Sequence, residues 1–163
     1  MCFEPGLTEV FVQPGELCLM DTPAILRTIL GSCVGIIFWI PRLRVGAMCH
    51  PMLPLVSAQG QRDVGEPTCY RYVDSAIRRM ARKVDALCVM RRDVQVKLFG
   101  GADVLHFSSP PATPTVGQRN RVTAVEVLRE EGLRMVASSL GGDCGMQILF
   151  HTGTGEVRLR RLS

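Results

Sequence analysis

Over the first thirty residues, short apolar stretches alternate with Pro5-Gly6, Pro14-Gly15 and Pro23. That punctuation predicts brief strands joined by turns. The run Val34-Gly35-Ile36-Ile37-Phe38-Trp39-Ile40 is rich in β-branched and aromatic residues and predicts a strand. Pro41-Arg42 supplies a turn, and Val45-Gly46-Ala47-Met48-Cys49 reads as the returning strand of a hairpin. A polar, glycine-containing stretch over 57–67 is expected on the surface as a loop. Tyr72, Val73, Ala76, Ile77, Met80, Ala81, Val84 and Leu87 then recur at three- and four-residue steps, predicting an amphipathic helix with Arg78, Arg79, Arg82 and Lys83 on its wet side.

Residues 94–99 alternate as a strand should and run into Gly100-Gly101, and a proline-rich loop covers 108–114. Val122, Val125 and Leu128 mark a second helix that stops at Gly132. Strands are expected over Arg134–Leu140 and 146–150, with 157–162 closing a last hairpin around Thr152-Gly153-Thr154-Gly155. Strands outnumber helices and no internal repeat occurs. The expected fold is a single domain, residues 1–163, of the mixed α/β (α+β-like) class.

Composition narrows the functional classes. With 47% apolar residues the chain can bury a core without disulfides or metal. The net charge of +4 is mild, and pairs such as Arg78-Arg79, Arg91-Arg92 and Arg160-Arg161 read as solvated faces. Nucleic-acid binding would need a longer basic stripe with interleaved aromatics. The seven cysteines are an odd number without a CxxC pair or zinc-finger spacing, so neither a disulfide framework nor a metal is expected. No basic segment followed by an apolar run opens the chain, and its longest apolar run is far too short to span a bilayer. A cytoplasmic protein with free thiols is expected, requiring no cofactor.

One cysteine stands apart. Leu30-Gly31-Ser32-Cys33-Val34-Gly35 has the form of a nucleophile turn, with glycines that let the backbone bend and a substrate approach the sulfur. Backbone N–H groups at Ser32 and Val34 are candidates for an oxyanion hole. If Pro41-Arg42 is the whole hairpin loop, Cys33 faces His50 across the strands, Gly35 faces Met48 and Ile37 faces Gly46, leaving a slot on that face. An imidazole there can take the thiol's proton, and the resulting thiolate can attack an amide carbon. Thr28 offers a hydroxyl to orient the ring.

Packing explanations compete with this one. A lone cysteine among apolar residues is more often core than nucleophile, and His50 could be a satisfied strand-end histidine. Cys49 should point to the opposite face and act in packing, which rules out a Cys33/Cys49/His50 metal site. His106 and His151 read as structural or solvated. Gly100-Gly101 lacks the Lys-Ser/Thr that would complete a phosphate loop. A thiol redox protein would need a resolving cysteine on the Cys33 face, and the alternation supplies none.

At these residues the sequence resembles the chemoreceptor glutamine deamidase family, CheD. The matching stretches are Thr28-Ile29-Leu30-Gly31-Ser32-Cys33-Val34, Val45-Gly46-Ala47-Met48-Cys49-His50-Pro51-Met52-Leu53-Pro54 and Lys97-Leu98-Phe99-Gly100-Gly101-Ala102. Val116-Gly117-Gln118-Arg119-Asn120, Leu140-Gly141-Gly142 and Thr152-Gly153-Thr154-Gly155-Glu156-Val157 follow in family order. The resemblance implies a catalytic cysteine at Cys33, a histidine at His50 and a threonine at Thr28. It implies hydrolysis of glutamine side-chain amides in methyl-accepting chemotaxis receptors, through a cysteine thioester, and an α/β/β layered fold. It also implies the chemotaxis phosphatase CheC as a partner, which leaves a non-catalytic adaptor as the alternative. Val104, Ser138, Ser139 and Met146 depart from the family's usual residues, and the departures bear on substrate and partner preference.

Overall fold

The computed structural model describes residues 3, 6–57, 65–104 and 112–162. In chain order the strands and helices are β1 (Thr8–Phe11), β2 (Leu17–Met20), β3 (Ala24–Leu30), β4 (Val34–Ile40), β5 (Val45–Cys49), α1 (Val73–Ala86), β6 (Gln95–Gly100), α2 (Val116–Glu130), β7 (Arg134–Leu140), β8 (Met146–His151) and β9 (Val157–Arg161). They form a four-stranded sheet, β1-β3-β8-β9, and a five-stranded sheet, β2-β5-β4-β6-β7. The final hairpin is antiparallel, whereas β7 runs parallel to β6.

Two cores stack on the larger sheet. Ile36, Phe38, Cys49 and Leu98 face the helices, packing with Ile77, Met80, Ala124 and Leu128. Ile37, Met48 and Phe99 face the smaller sheet, packing with Leu26, Leu30, Ile148 and Phe150. Successive side chains of a strand point to opposite faces, so β4 is buried on both. That is why its sequence is a continuous apolar run. The layers are α/β/β, as expected.

α1 follows its predicted periodicity, burying Val73, Ala76, Ile77, Met80, Ala81 and Val84. Leu87 lies beyond its end and is exposed. The second helix departs from expectation: Val122 and Val125 are exposed, and the buried line is Gly117, Asn120, Ala124, Val127 and Leu128. Its first half packs small and polar residues against a loop, so hydrophobicity alone points to the wrong face.

The β4–β5 hairpin also differs. Ile40 pairs with Val45, Ile37 with Met48 and Ile36 with Cys49. Residues 41–44 make the turn, closed by Leu43 N–H to Ile40 O and Arg44 N–H to Pro41 O, with Arg44 left-handed at φ 51°. The turn holds two more residues than Pro41-Arg42, and the predicted register is wrong by two. Cys33 is therefore not directly opposite His50. An even slip preserves which face each side chain occupies, so both still point toward the smaller sheet. The predicted slot does not exist. A Cβ at Gly46 would meet Phe150 and Thr152, and one at Gly35 would meet Leu30 and Ile148.

Candidate active site

Cys33 sits on the bend between β3 and β4, half-buried at the margin of the inter-sheet core. His50 follows the last residue of β5 and is only 2% exposed. The segments carrying them are tied together, since the N–H of Val34 donates to the carbonyl of Pro51 at 3.2 Å. That bond corrects one expectation: the Val34 amide is committed to Pro51 and is not available to an oxyanion.

Thr28 is fully buried on β3 and lies beside His50, Oγ1 to Nδ1 at 2.8 Å. Its hydroxyl also donates to the carbonyl of Val12 at 2.8 Å. A hydroxyl carries a single proton. With that proton spent on Val12, Oγ1 can only accept from the ring, and Nδ1 must carry the hydrogen. In the neutral imidazole Nε2 then holds the lone pair. Nε2 is buried and makes no hydrogen bond among the described residues, which leaves it as an open acceptor. Hydrogen bonds between catalytic groups are often formed only when substrate is bound.

Burial governs the charge states. It pushes the Cys33 thiol up, partly offset by the residue's own N–H, which favours a thiolate. It pushes His50 down, partly offset by the Val12 carbonyl. Both shifts favour the uncharged forms, a thiol and a neutral imidazole.

The bend is held from behind. The carbonyl of Gly31 accepts from Ala102 N–H at 2.9 Å and that of Cys33 from Gly101 N–H at 2.7 Å. The carbonyl of Ser32 accepts from Asn120 Nδ2 at 2.9 Å. Gly100, at φ +94°, lets the chain pass beneath the Cys33 carbonyl, because a Cβ there would stand 2.4 Å from that oxygen. The Gly-Gly pair after β6 is thus a cradle for the Cys33 bend, a role that its sequence pattern alone does not disclose. Gly117 likewise lets α2 lie against Ala102, and Arg121 donates to Gly101 O at 2.6 Å while pairing with Asp103.

Ser32 opens onto a cleft of about 360 Å³ lined by Ala102, Asp103, Val104, Pro114, Gly117 and Arg119. Much of the two loops expected to rim the site, 58–64 and 108–111, lies outside the described residues, as does His106. His151 is structural: its Nδ1 accepts from Gly153 N–H and its ring meets Phe3 edge-on. Cys49 lies on the helix-facing side of β5, against the Tyr70 carbonyl. Among the described residues no group of three or more His, Cys, Asp or Glu side chains could hold a metal ion, and no helix is long and apolar enough to cross a membrane.

A family model described as CheD chemotactic sensory transduction matches residues 52–161. Full-length relatives extend the likeness over the preceding segment. The chain is 40% identical to a probable chemoreceptor glutamine deamidase CheD 2 of Geobacter sulfurreducens, over 98% of this chain and 93% of that protein. It is 39% identical to a probable chemoreceptor glutamine deamidase CheD of Maridesulfovibrio salexigens, over 98% and 95%. A probable chemoreceptor glutamine deamidase CheD 1 of Chromobacterium violaceum is 34% identical over 97% and 80%.

Proposed function

We propose, from the premise that this chain belongs to the CheD family, that it is a chemoreceptor glutamine deamidase working through Cys33, His50 and Thr28. The observation that carries the chemistry is the Val12–Thr28–His50 chain, which leaves the imidazole with its lone pair on Nε2. That is the tautomer a general base requires.

The steps balance without a cofactor. Nε2 of His50 takes the Cys33 proton as the sulfur attacks the carboxamide carbon of a receptor glutamine. The carbonyl oxygen becomes an oxyanion, and backbone N–H groups at the bend, including Ser32, receive it. The imidazolium then passes its proton to the departing nitrogen, the C–N bond breaks and ammonia leaves a thioester. His50 next deprotonates a water that attacks the thioester. The S–C bond breaks, the sulfur regains a proton and the product is glutamate. Thr28 holds the ring orientation throughout. The protein works in the cytoplasm on the receptors' cytoplasmic portion, and the same reading takes the phosphatase CheC as a binding partner, to be checked by co-purification.

The decisive experiment incubates a receptor cytoplasmic fragment with the protein and reads peptide masses. Conversion of amide to acid adds about one dalton per glutamine through the hydrolysis described, and Cys33→Ala should give none. A mass gain that persists in Cys33→Ala rejects the nucleophile. No gain with the wild type, together with CheC binding, favours the adaptor alternative.

A further inference from the structure

Asn120 has no place in the mechanism above, yet it is fully buried and touches both halves of the site. From the first half of α2 its Nδ2 donates twice, to Ser32 O at 2.9 Å and to Met52 O at 2.9 Å. Ser32 precedes the nucleophile, and Met52 lies two residues beyond His50. Two carbonyl acceptors require the NH2 end of the amide, so the orientation of the group is fixed by its partners. The other end, Oδ1, is buried and has no hydrogen-bond partner among the described residues. An orphaned acceptor is unfavourable, and it marks a side chain held for what its donors do.

We propose that Asn120 is a positioning residue that aims the Cys33 N–H at the oxyanion of the reaction. The argument rests on peptide geometry. In a trans peptide the N–H points opposite to the carbonyl of the same plane. The carbonyls of Gly31, Ser32 and Cys33 are all drawn toward the side formed by Gly101, Ala102 and Asn120. The N–H groups of Ser32, Cys33 and Val34 are accordingly turned the other way. Val34 spends its own on Pro51. The Cys33 N–H belongs to the Ser32–Cys33 peptide, whose carbonyl is held by the Asn120 side chain. The two flanking peptides are held by backbone donors, which no truncation of a side chain removes, so among the described residues Asn120 is the one side chain that holds a carbonyl of this triplet. Its second bond, to Met52, keeps the plane in register with the strand end that carries His50.

The proposal rests on Cys33 and His50 acting as described, and its test separates the two ideas. Attack of the Cys33 thiol on iodoacetamide displaces iodide and develops no carbonyl oxyanion, whereas deamidation does. Asn120→Ala and Asn120→Ser are compared with wild type in receptor-fragment deamidation and in alkylation of Cys33, followed by peptide mass spectrometry. Both rates are expressed per folded molecule from circular dichroism. Loss of one oxyanion donor's aim should lower kcat on the order of 10²-fold with KM little changed, while Cys33 alkylation stays within about twofold. Asn120→Ser, which keeps one donor, should fall between Asn120→Ala and wild type. The proposal is overturned if the ratio of deamidation to alkylation falls by less than about tenfold, since the residue would then only hold the bend in place. Failure of both variants to fold overturns it equally. Wild-type protein without deamidase activity, or an active Cys33→Ala protein, would instead overturn the underlying mechanism.

Discussion

Cys33, on the bend that enters β4, and Cys49, at the end of β5, lie on opposite faces of the larger sheet. Cys49 is completely enclosed against the helices, and burial drives its thiol far above the ordinary range. Cys33 is half-buried beside the smaller sheet; burial raises its thiol too, but its own amide partly offsets this, and a histidine arrives from the end of β5. The sequence neighbour of that histidine is Cys49 itself. Alternation along β5 therefore turns adjacent residues to opposite faces, Cys49 into the helix-side core and His50 toward the smaller sheet, and in the proposed mechanism reactivity follows the face on which a sulfur lies.

Removing the sulfur proposed as nucleophile is the harshest way to probe this contrast. Cys33→Ala should cost on the order of 10⁴-fold or more in deamidation, because a nucleophile has no substitute. Its melting temperature should change little, as the position is only half-buried.

His50→Gln comes next, with an expected loss of about 10²–10⁴-fold from absent acid–base catalysis. The wild-type pH profile sharpens the assignment. His50 is held below its ordinary value of 6.5, so the neutral base survives into mildly acidic solution and the acid limb of kcat/KM should fall below pH 6.5. The same shift fixes a sign for stability. Below 6.5 the unfolded chain gains a proton that the folded chain refuses, so stability declines as pH falls from 6.5 through the lowered value, then levels off. An acid limb above 6.5, or a limb unchanged in a residually active His50→Gln, would contradict the role.

Thr28→Val tests the tautomer chain. It preserves shape and β-branching but removes the hydroxyl that both donates to Val12 and accepts from the ring. A loss of about tenfold in kcat is expected, the equivalent of one hydrogen bond of about 1.4 kcal/mol. Thr28→Ser should restore most of it. Equal activity in Thr28→Val and wild type would mean that the ring is oriented by other groups.

These residues were unequally legible in the sequence. Helix α1 and strand β4 could be read directly, because their burial is apolar and periodic. Direct opposition of Cys33 and His50 rests on a hairpin turn two residues too short and is not what the structure has; because the slip is even, both side chains keep the face that the sequence predicts. The oxyanion assignment to Val34 did not survive, since backbone partners such as Pro51 O carry no signal in residue type. Asn120 was present in a quoted motif, yet a polar residue within a helix reads as solvent-facing. Only the α2 packing on Gly101 and Ala102 reveals that it is buried. Backbone-mediated features were thus the hidden part, whereas side-chain chemistry was visible.

The mildest probe returns to the packing thiol. Cys49→Ala removes one heavy atom from the core between the helices and β5, where the sulfur also makes a long contact of 3.8 Å with Tyr70 O. Loss of about 1 kcal/mol is expected from the cavity and lost contacts, which for a chain of this size corresponds to a melting point lower by about 2–4 °C. Activity per folded molecule should stay within about twofold, as a buried thiol on the far face exchanges no proton with His50. The adjacency makes this a demanding control. Cys49 is covalently next to His50, so if backbone strain from the core reached the imidazole, the variant would slow deamidation out of proportion to its stability. A loss above about tenfold would show that the two faces of β5 are mechanically coupled and that alternation alone does not isolate the site.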